Sequence, residues 1–310
     1  MENVKMARAK KVKKLDGNSN FAGYLFIGPW LIGFFAFTLV PILATLFFSF
    51  TKYDIMSPPV FIGLKNFQDI LFTDDRFWKS LRVTFLYVFV SVPIKLIFAL
   101  FVAMLFVGKH KFLGAYRALV YIPSIIGGSV AVAVLWRKMF GMDGLVNNIL
   151  INMGIMKTGV SWIGNPSTAL WTIVLLAVWE FGSPMLIFLA GLKQIPVSFY
   201  EAADIDGANK VTKFFRITIP MLAPVLLFNF IMQIITGFRA FTESFIITQG
   251  GPFDNTLLYM LYVYQKAFSF YDMGYGCALA WILILIIAVF TGCIFKFSSD
   301  KVYYESRGNW

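Results

Sequence analysis

Six long apolar runs, separated by polar segments, dominate this chain of 310 residues. A helix needs about 20 apolar residues to cross the roughly 30 Å of hydrocarbon in a bilayer, and each run reaches that length. Only 14% of the residues are charged and 59% are hydrophobic, whereas soluble domains carry about 25% charged residues. The sequence therefore predicts an all-α membrane protein with six transmembrane helices. The predicted spans cover residues 24–50, 83–107, 116–136, 168–191, 218–247 and 276–296.

The segments that flank the predicted membrane domain, residues 21–298, are expected to be tails. Residues 1–20 are rich in lysine and predict a basic cytoplasmic tail, and residues 299–310 predict a C-terminal cytoplasmic tail. The first apolar run is too long for a signal peptide and lacks a small-residue cleavage site, so we expect it to remain as a span. With both termini inside, the cytoplasmic segments hold 16 of the 27 lysines and arginines and the outer segments nine. This excess favours both termini in the cytoplasm.

The composition disfavours several kinds of chemistry. His110 is the only histidine and lies in a short basic turn, so we expect no metal site there and assign it to a solvated loop. Cys277 and Cys293 lie about four and a half helical turns apart on one predicted helix, too far for a disulfide. The sequence has no G-x-x-x-x-G-K-[ST] loop to hold ATP phosphates. The net charge is +11, but the basic residues are scattered among loops and form no face for nucleic acid.

A polar stretch from Ser198 to Ala208 lies between two apolar spans. Ser198 is a good N-cap and Glu201 follows three residues later, which is typical of a capping box. Gly207 supplies a helix stop. We therefore predict a helix of about two turns on the cytoplasmic face, where it can dock a soluble partner. These helix signals alone fit a simple connecting loop equally well.

Charged side chains in the middle of a span are costly in lipid and usually functional. Lys95 lies near the middle of the second predicted span, and Glu180, beside Trp179, lies near the middle of the fourth. We expect both to face the bundle interior, either paired or lining a wet cavity. The alternative is that Lys95 snorkels along its stem and that a neighbouring helix satisfies Glu180. Arg239 and Glu243, four residues apart, are expected to form an ion pair, with contact to the substrate or a delivery protein as the alternative.

The fifth predicted span carries amide and hydroxyl side chains on one helical face. Asn229, Gln233 and Thr236 follow the spacing i, i+4, i+7, which places them on the same side of a helix. Such groups suit a hydroxyl-rich substrate, with Trp179 as an aromatic platform; hydrogen bonding between helices is the alternative. The candidate substrate pathway comprises Lys95, Trp179, Glu180, Ser183, Asn229, Gln233 and Thr236.

The spacing in and after the polar stretch resembles the signature loop of bacterial ABC importer permeases. Glu201-Ala202-Ala203 is followed after three residues by Gly207, after nine more by Ile217, and then by Ile219-Pro220. That family's pattern has leucine where this chain has Ile219, which is an exchange of one apolar residue for another. The likeness extends over residues 22–298 and includes Tyr121-Ile-Pro123, Thr248-Gln-Gly-Gly-Pro252 and Gly274-Tyr-Gly-Cys-Ala278.

The resemblance is to carbohydrate permeases of the maltose and glycerol-3-phosphate type, and most of all to those for plant cell-wall oligosaccharides such as rhamnogalacturonan or pectin fragments. It implies a type I ABC importer permease in the bacterial cytoplasmic membrane, with no enzymatic activity and no cofactor of its own. It also implies a second homologous permease subunit, two ATP-binding subunits that hold ATP and Mg, and an extracytoplasmic sugar-binding protein. Residues 193–220 would form the loop that couples to the ATPase. The coupling residues would be Ser198, Tyr200, Glu201, Ala202, Ala203, Asp204, Asp206 and Gly207.

The residues themselves leave two other classes open. A stand-alone secondary transporter or channel for a polar solute would fit the predicted spans, but many such transporters have internal repeats and broken helices, and neither is evident in the sequence. A membrane-embedded enzyme would need converging catalytic residues, which a single histidine in a turn does not supply. Dependence on a separate ATPase distinguishes the three classes.

Overall fold

The computed structural model describes residues 19–108 and 112–298, with side chains placed over 24–108 and 112–297. Nearly all of the predicted N-terminal tail, His110 and the predicted C-terminal tail lie outside these residues. The helices are α1 (Ser19–Phe34), α2 (Val40–Ser49), α3 (Lys65–Phe72), α4 (Asp75–Leu105), α5 (Leu113–Ile126), α6 (Val130–Met139), α7 (Leu145–Asn152), α8 (Ala169–Trp179), α9 (Gly182–Leu192), α10 (Val197–Ile205), α11 (Lys210–Lys213), α12 (Ile219–Phe238), α13 (Tyr259–Tyr264) and α14 (Met273–Ser298). Strands β1 (Thr51–Lys52) and β2 (Val60–Phe61) form an antiparallel hairpin, and π-helical turns lie at Phe35–Leu39, Phe214–Thr218, Ser244–Thr248 and Gln265–Ser269.

Four continuous helices in the described residues are long and apolar enough to cross a membrane. The π-helical turns join α1 to α2 and α11 to α12 without a break in the helix. Asp74 begins the second span as an N-cap, because its carboxylate accepts a hydrogen bond from the backbone N–H of Phe77 at 3.0 Å. The first, second and sixth predicted spans are confirmed in position. The four helices cover Tyr24–Ser49, Asp75–Leu105, Lys210–Phe238 and Met273–Phe297.

The third and fourth predicted spans are each a pair of helices bent at a short break, which makes six spans if each pair crosses the membrane once. The third comes first along the chain. α5 and α6 meet at an angle of 94°. Gly127 and Gly128 lie at the bend, and Ser129 then caps α6 by accepting a hydrogen bond from the backbone N–H of Val132. Two successive glycines disfavour a continuous helix because they lose the most backbone freedom when ordered. The prediction of an unbroken span over residues 116–136 is therefore wrong.

The fourth span is broken more gently. α8 and α9 meet at 41°, and Glu180 and Phe181 lie between them. The sequence predicted one continuous helix over residues 168–191, and this shape is also wrong. Broken helices are therefore present, although the sequence showed none, so their supposed absence is no reason to exclude a secondary transporter.

The fifth span ends earlier than predicted. α12 ends at Phe238 with Arg239 as its C-cap, and the next helical turns begin only after Ala240 and Phe241. A single helix through residue 247 is wrong, because Arg239, Ala240 and Phe241 are not helical. Residues 239–243 line a cavity. Since the helix is interrupted between Arg239 and Glu243, no ion pair joins these two described residues. The predicted ion pair is wrong.

The main core surrounds α4, which packs against α8, α9, α12 and α13. Fully buried aromatic side chains from several helices fill this core, and burial of such large side chains is a major source of stability. The helix α14 contacts α12 and α13 on one side and α2 on another. The largest of the fully buried aromatic residues are Tyr259, Tyr262, Phe77, Phe188 and Phe238.

A smaller core lies under α6. Trp136 is buried there with Leu176 and Ile247, and its indole N–H donates a hydrogen bond to the backbone oxygen of Thr172 at 2.9 Å. These contacts hold α6 against α8 and the π-helical turn at Ser244–Thr248.

Candidate functional site

A polar cavity of about 360 Å³ lies between α4, α8, α12 and the segment that follows α12. Four of the residues predicted for a substrate pathway line it: Lys95, Glu180, Gln233 and Thr236. The cavity therefore brings together one cation, one carboxylate, one amide and one hydroxyl from three different spans. Such a set offers both donors and acceptors of hydrogen bonds.

Several further cavity residues were missed or given another role by the sequence analysis. Tyr87 and Ser91 precede Lys95 by eight and four residues on α4 and line the same cavity. Their spacing places them on one helix face, so this signal was available in the sequence. Arg239 and Glu243, which were expected to pair with each other, line the cavity instead.

The break in the fourth span positions Glu180. The hydroxyl of Ser124, on α5, donates a hydrogen bond to the backbone oxygen of Glu180 at 2.9 Å and accepts one from the backbone N–H of Ser183 at 3.0 Å. Gly127 lies so close to the Glu180 side chain that an added methyl group would overlap it. The glutamate is thus held in place by groups from the other broken span.

The charged groups around Glu180 interact without forming direct contacts. Lys95, Glu180 and Glu243 line the same cavity, but no ion pair within 4.0 Å joins any of the three in the described part of the chain. One carboxylate oxygen of Glu180 is buried and has no hydrogen-bond partner among the described residues. This oxygen lies 2.3 Å from where a Cβ added at Gly127 would stand, so it is packed against the end of α5.

The other three predicted pathway residues do not line this cavity. Asn229 is fully buried, and its side-chain amide donates a hydrogen bond to the backbone oxygen of Pro184 at 3.3 Å. Trp179 packs against Trp136, with ring centroids 5.9 Å apart. The backbone N–H of Ser183 donates a hydrogen bond to the hydroxyl oxygen of Ser124. The structure therefore gives these residues contacts between helices, and for Asn229 this is the alternative stated for the polar face of the fifth span.

The predicted coupling segment forms a helix, but it begins differently from the prediction. α10 starts at Val197 with Pro196 at the N-cap position and has no side-chain cap. The capping box of Ser198 and Glu201 is therefore wrong. Because the fixed proline conformation already starts the helix, Ser198 falls inside its first turn.

The end of α10 is the glycine stop that the sequence predicted. Gly207 adopts a positive φ of +72°. The N–H of Ala208 donates to the oxygen of Ala203 at 2.9 Å, and the N–H of Gly207 donates to the oxygen of Asp204 at 3.1 Å, which is a Schellman motif. An added Cβ at Gly207 would meet nothing within 4 Å in the described part of this chain. The requirement for glycine thus comes from the backbone conformation and not from lack of space.

The surface of α10 is almost entirely open. None of its residues is buried, and the apolar side chains of Val197 and Ile205 are 67% and 88% exposed. An exposed helix with apolar side chains is typical of a protein-binding surface. Among the predicted coupling residues, Tyr200 and Ala203 are half-buried, and the exposed ones are Ser198, Glu201, Ala202, Asp204, Asp206 and Gly207.

A polar network joins the start of α4 to the segment around α13. The carboxylate of Asp74 accepts hydrogen bonds from the hydroxyls of Tyr262 and Tyr275, each at 2.5 Å. Partial burial opposes ionisation of Asp74, but these bonds and the one from Phe77 outweigh it, so the pKa of Asp74 is below its usual value. The sequence analysis missed this network because its members are far apart in the chain.

Arg76 and Asp254 extend this polar network. Arg76 donates two hydrogen bonds to the carboxylate of Asp254, both at 2.9 Å. A guanidinium and a carboxylate joined by two bonds form a well-oriented pair. The ammonium of Lys266 lies 4.6 Å from the ring centroid of Tyr275, which is a cation–π contact. The network thus ties the start of the second span to the segment before the sixth.

Comparison with known proteins finds relatives over nearly the whole chain. Residues 74–298 match the family described as "Binding-protein-dependent transport system inner membrane component". The chain is 50% identical over 304 residues to the "Probable ABC transporter permease protein YesP" of Bacillus subtilis (strain 168), and the match covers 97% of each chain. It is 35% identical to the "Arabinooligosaccharides transport system permease protein AraP" of the same organism, over 90% of this chain and 89% of that one.

The fold is also similar to that of a solved structure. A chain in the crystal structure of a bacterial alginate ABC transporter, in complex with an alginate pentasaccharide-bound periplasmic protein, aligns with a TM-score of 0.75 and 19% sequence identity. The alignment covers 91% of this chain and 95% of that one. At 19% identity this likeness shows a shared fold and nothing about the substrate.

Proposed function

Because the chain belongs to the family of binding-protein-dependent transport system inner membrane components, we propose that it forms the membrane path for a sugar or oligosaccharide in an ATP-driven ABC importer. It is a multi-pass permease subunit and not an enzyme. The observation that carries the proposal is the polar cavity between α4, α8 and α12. Polar and charged side chains inside a membrane bundle are costly and mark the path of a substrate.

The chemistry of the cavity suits a molecule rich in hydroxyl groups. Gln233 and Thr236 offer an amide and a hydroxyl, and Glu180 offers a carboxylate. Hydroxyl groups of a sugar both donate and accept hydrogen bonds, so they can satisfy each of these side chains. The relatives include a permease named for arabinooligosaccharides, which supports a carbohydrate as the substrate class.

Within this class we propose oligosaccharides from the plant cell wall, such as fragments of rhamnogalacturonan or pectin. The support is the overall resemblance of the sequence to permeases for such sugars. The cavity volume of about 360 Å³ lies within the usual range for small-molecule sites. Only part of a longer oligosaccharide would fit into this space at one time.

The exposed helix α10 is the proposed contact with the ATP-binding subunit. Its apolar side chains Val197, Phe199 and Ile205 are open to solvent, and Glu201 lies among them on the same short helix. A groove on a soluble partner can bury such a helix, as many helix-binding proteins do. ATP and Mg would be held by that partner, since this sequence has no P-loop.

The proposed assembly contains two homologous permeases, two ATP-binding subunits and an extracytoplasmic sugar-binding protein. Both termini of this chain would lie in the cytoplasm of a bacterium, as the distribution of lysine and arginine predicts. In this orientation α10 would face the cytoplasm and the Asp74 network would face the outside. The sugar would enter from the outer side and leave near α10.

A transport assay tests the proposal. The chain is reconstituted with its partner subunits in proteoliposomes, and uptake of labelled plant cell-wall oligosaccharides, arabinooligosaccharides and lactose is compared with and without ATP. Glu180→Gln and Gln233→Ala are expected to lower uptake about tenfold at equal protein level, because each loses a polar contact that the sugar would make. Leu285→Ala, on the exposed face of α14, is the control.

Two outcomes would contradict the proposal. Uptake by this chain alone, without ATP or an ATP-binding subunit, would show a secondary transporter instead. Full uptake in both Glu180→Gln and Gln233→Ala would place the substrate path elsewhere. Copurification of an ATP-binding subunit with the wild type and its loss in Glu201→Ala would separately test the role of α10.

A further inference from the structure

The helix α10 is held to the fifth span by one hydrogen bond between uncharged side chains in the described part of the chain. The hydroxyl oxygens of Tyr200 and Thr218 lie 2.9 Å apart. Thr218 is buried, with 6% exposure, and the ring of Tyr200 packs against the main core. An otherwise exposed helix is thus anchored to the membrane domain at Tyr200.

A second contact lies further along the same helix. Asp204 forms an ion pair with Lys213. The side chain of Asp204 is 67% exposed and that of Lys213 is 16% exposed, so water screens the pair from the Asp204 side and weakens it. The partly buried Tyr200–Thr218 bond is therefore the stronger candidate for the mechanical link.

Thr218 lies at a special point of the fifth span. It ends the π-helical turn at Phe214–Thr218, directly before α12. Turns of this kind are uncommon inside helices and frequently lie at functional sites. Lys213 directly precedes this turn, so both contacts from α10 reach the same short section of the span.

The section of the fifth span that contains Lys213 and Thr218 continues into the part of the helix that forms one wall of the cavity. Residues Lys210–Phe238 form one helix of 29 residues. Gln233 and Thr236 lie on that helix and line the cavity. Fifteen residues of helix separate Thr218 from Gln233, a distance of about 22 Å at about 1.5 Å per residue. A displacement of Thr218 would therefore act on a continuous helix that ends at the cavity.

We propose that Tyr200 and Thr218 are positioning residues for transport: their hydrogen bond makes α10 and the fifth span move as one body. The inference rests on the proposed function, because it assumes that a partner acts on α10. When the partner displaces α10, Tyr200 would displace Thr218, and the helix α12 would displace Gln233 and Thr236. Neither Tyr200 nor Thr218 lines the cavity, so their effect on transport is indirect.

The test measures coupling in the complete transporter in proteoliposomes, as the number of ATP molecules hydrolysed for each sugar imported. Tyr200→Phe and Thr218→Val each remove one hydroxyl group and keep the shape of the side chain. Each is expected to raise this number about fivefold, in keeping with the loss of one hydrogen bond. The double variant is expected to match the single ones, because both remove the same bond. Thr218→Ser, which keeps the hydroxyl, is expected to restore coupling.

A second measurement does not depend on transport. Hydrogen–deuterium exchange over residues 197–205 is expected to rise about fivefold in Tyr200→Phe, since the helix loses its anchor. Tyr271→Phe removes the hydroxyl of an exposed tyrosine elsewhere and is the matched control for both measurements.

The outcomes separate the inference from the proposed function. Unchanged coupling and unchanged exchange in Tyr200→Phe and Thr218→Val would overturn the inference while leaving the permease role intact. Loss of the ATP-binding subunit from either variant would also overturn it, because the pair would then serve docking. A wild-type complex without ATP-dependent uptake would overturn the proposed function, and the exchange measurement would still decide whether Tyr200 anchors α10.

Discussion

The hydroxyl of Ser124 bonds to the backbone of both Glu180 and Ser183, at 2.9 and 3.0 Å, and so joins the breaks of two membrane spans. A break in a membrane helix frees backbone groups that water does not satisfy in lipid, so neighbouring helices must supply partners. A single serine supplies both partners here. These two hydrogen bonds also fix the backbone position from which the side chain of Glu180 extends to the cavity.

Replacement of Ser124 by alanine is expected to destabilise the protein. The backbone oxygen of Glu180 and the N–H of Ser183 would lose their shared partner, at a cost of about 1–3 kcal/mol. Unfolding by denaturant in detergent micelles measures the change. Ser57→Ala, at an exposed serine, is the control and should change the free energy of unfolding by less than about 0.5 kcal/mol. An equal effect of both changes would contradict the role of Ser124.

Replacement of Gly127 by alanine is expected to lower transport about tenfold, because small displacements of a positioned group have large effects on rate. Its Cβ would overlap the side chain of Glu180, whereas a Cβ on the adjacent Gly128 would meet nothing within 4 Å. Glu180 would be displaced from its place in the cavity. Uptake at equal membrane level is the measurement, and Gly128→Ala is the control. Equal uptake in the two variants would show that the position of Glu180 is unimportant.

Replacement of Gly207 by alanine is expected to weaken binding of the ATP-binding subunit. The positive φ of +72° costs an alanine about 1–2 kcal/mol, so the end of α10 would fray or shift. Asparagine tolerates this conformation better than alanine, and Gly207→Asn is expected to fall between alanine and the wild type. The dissociation constant of the complex measures the effect. A normal constant in Gly207→Ala would mean that the glycine stop is dispensable.

The Asp74 network is expected to make stability depend on pH. The pKa of Asp74 is lowered from its usual value of 3.8 despite partial burial, because Tyr262 and Tyr275 donate hydrogen bonds to its carboxylate. A group with a lowered pKa in the folded state stabilises that state above its unfolded pKa, and this contribution is lost as the pH falls through the folded value. Asp74→Asn is therefore expected to be less stable than the wild type at neutral pH.

The difference between Asp74→Asn and the wild type is expected to shrink as the pH falls below 3.8. Asparagine is also a good N-cap, so the comparison isolates the charge from the capping of α4. Unfolding in detergent at neutral and acidic pH measures the difference in the free energy of unfolding between Asp74→Asn and the wild type. Asp143→Asn, in an exposed loop, is the control. A difference that stays the same at both pH values would contradict the role assigned to the ionised carboxylate.

Local features of the sequence predicted much of the fold. The number and approximate places of the membrane segments followed from hydropathy, because the cost of burying polar groups in lipid acts on each segment separately. The stop of α10 at Gly207 followed from a short-range signal, whereas the predicted capping box at its start did not form. Lys95, Glu180, Gln233 and Thr236 were chosen because polar side chains in an apolar segment stand out, and the structure brings these four to one cavity.

The residue pattern alone thus specifies a helical membrane protein, its membrane segments, a short polar helix between two of them and a set of polar residues inside the bundle. The packed structure is needed to learn where the third and fourth spans break, that Asn229 bonds between helices while Gln233 faces the cavity, and that Tyr200 meets Thr218. The physical reason is that hydropathy and helix signals act over a few neighbouring residues. A helix break or a buried hydrogen bond depends on partners that only packing brings together.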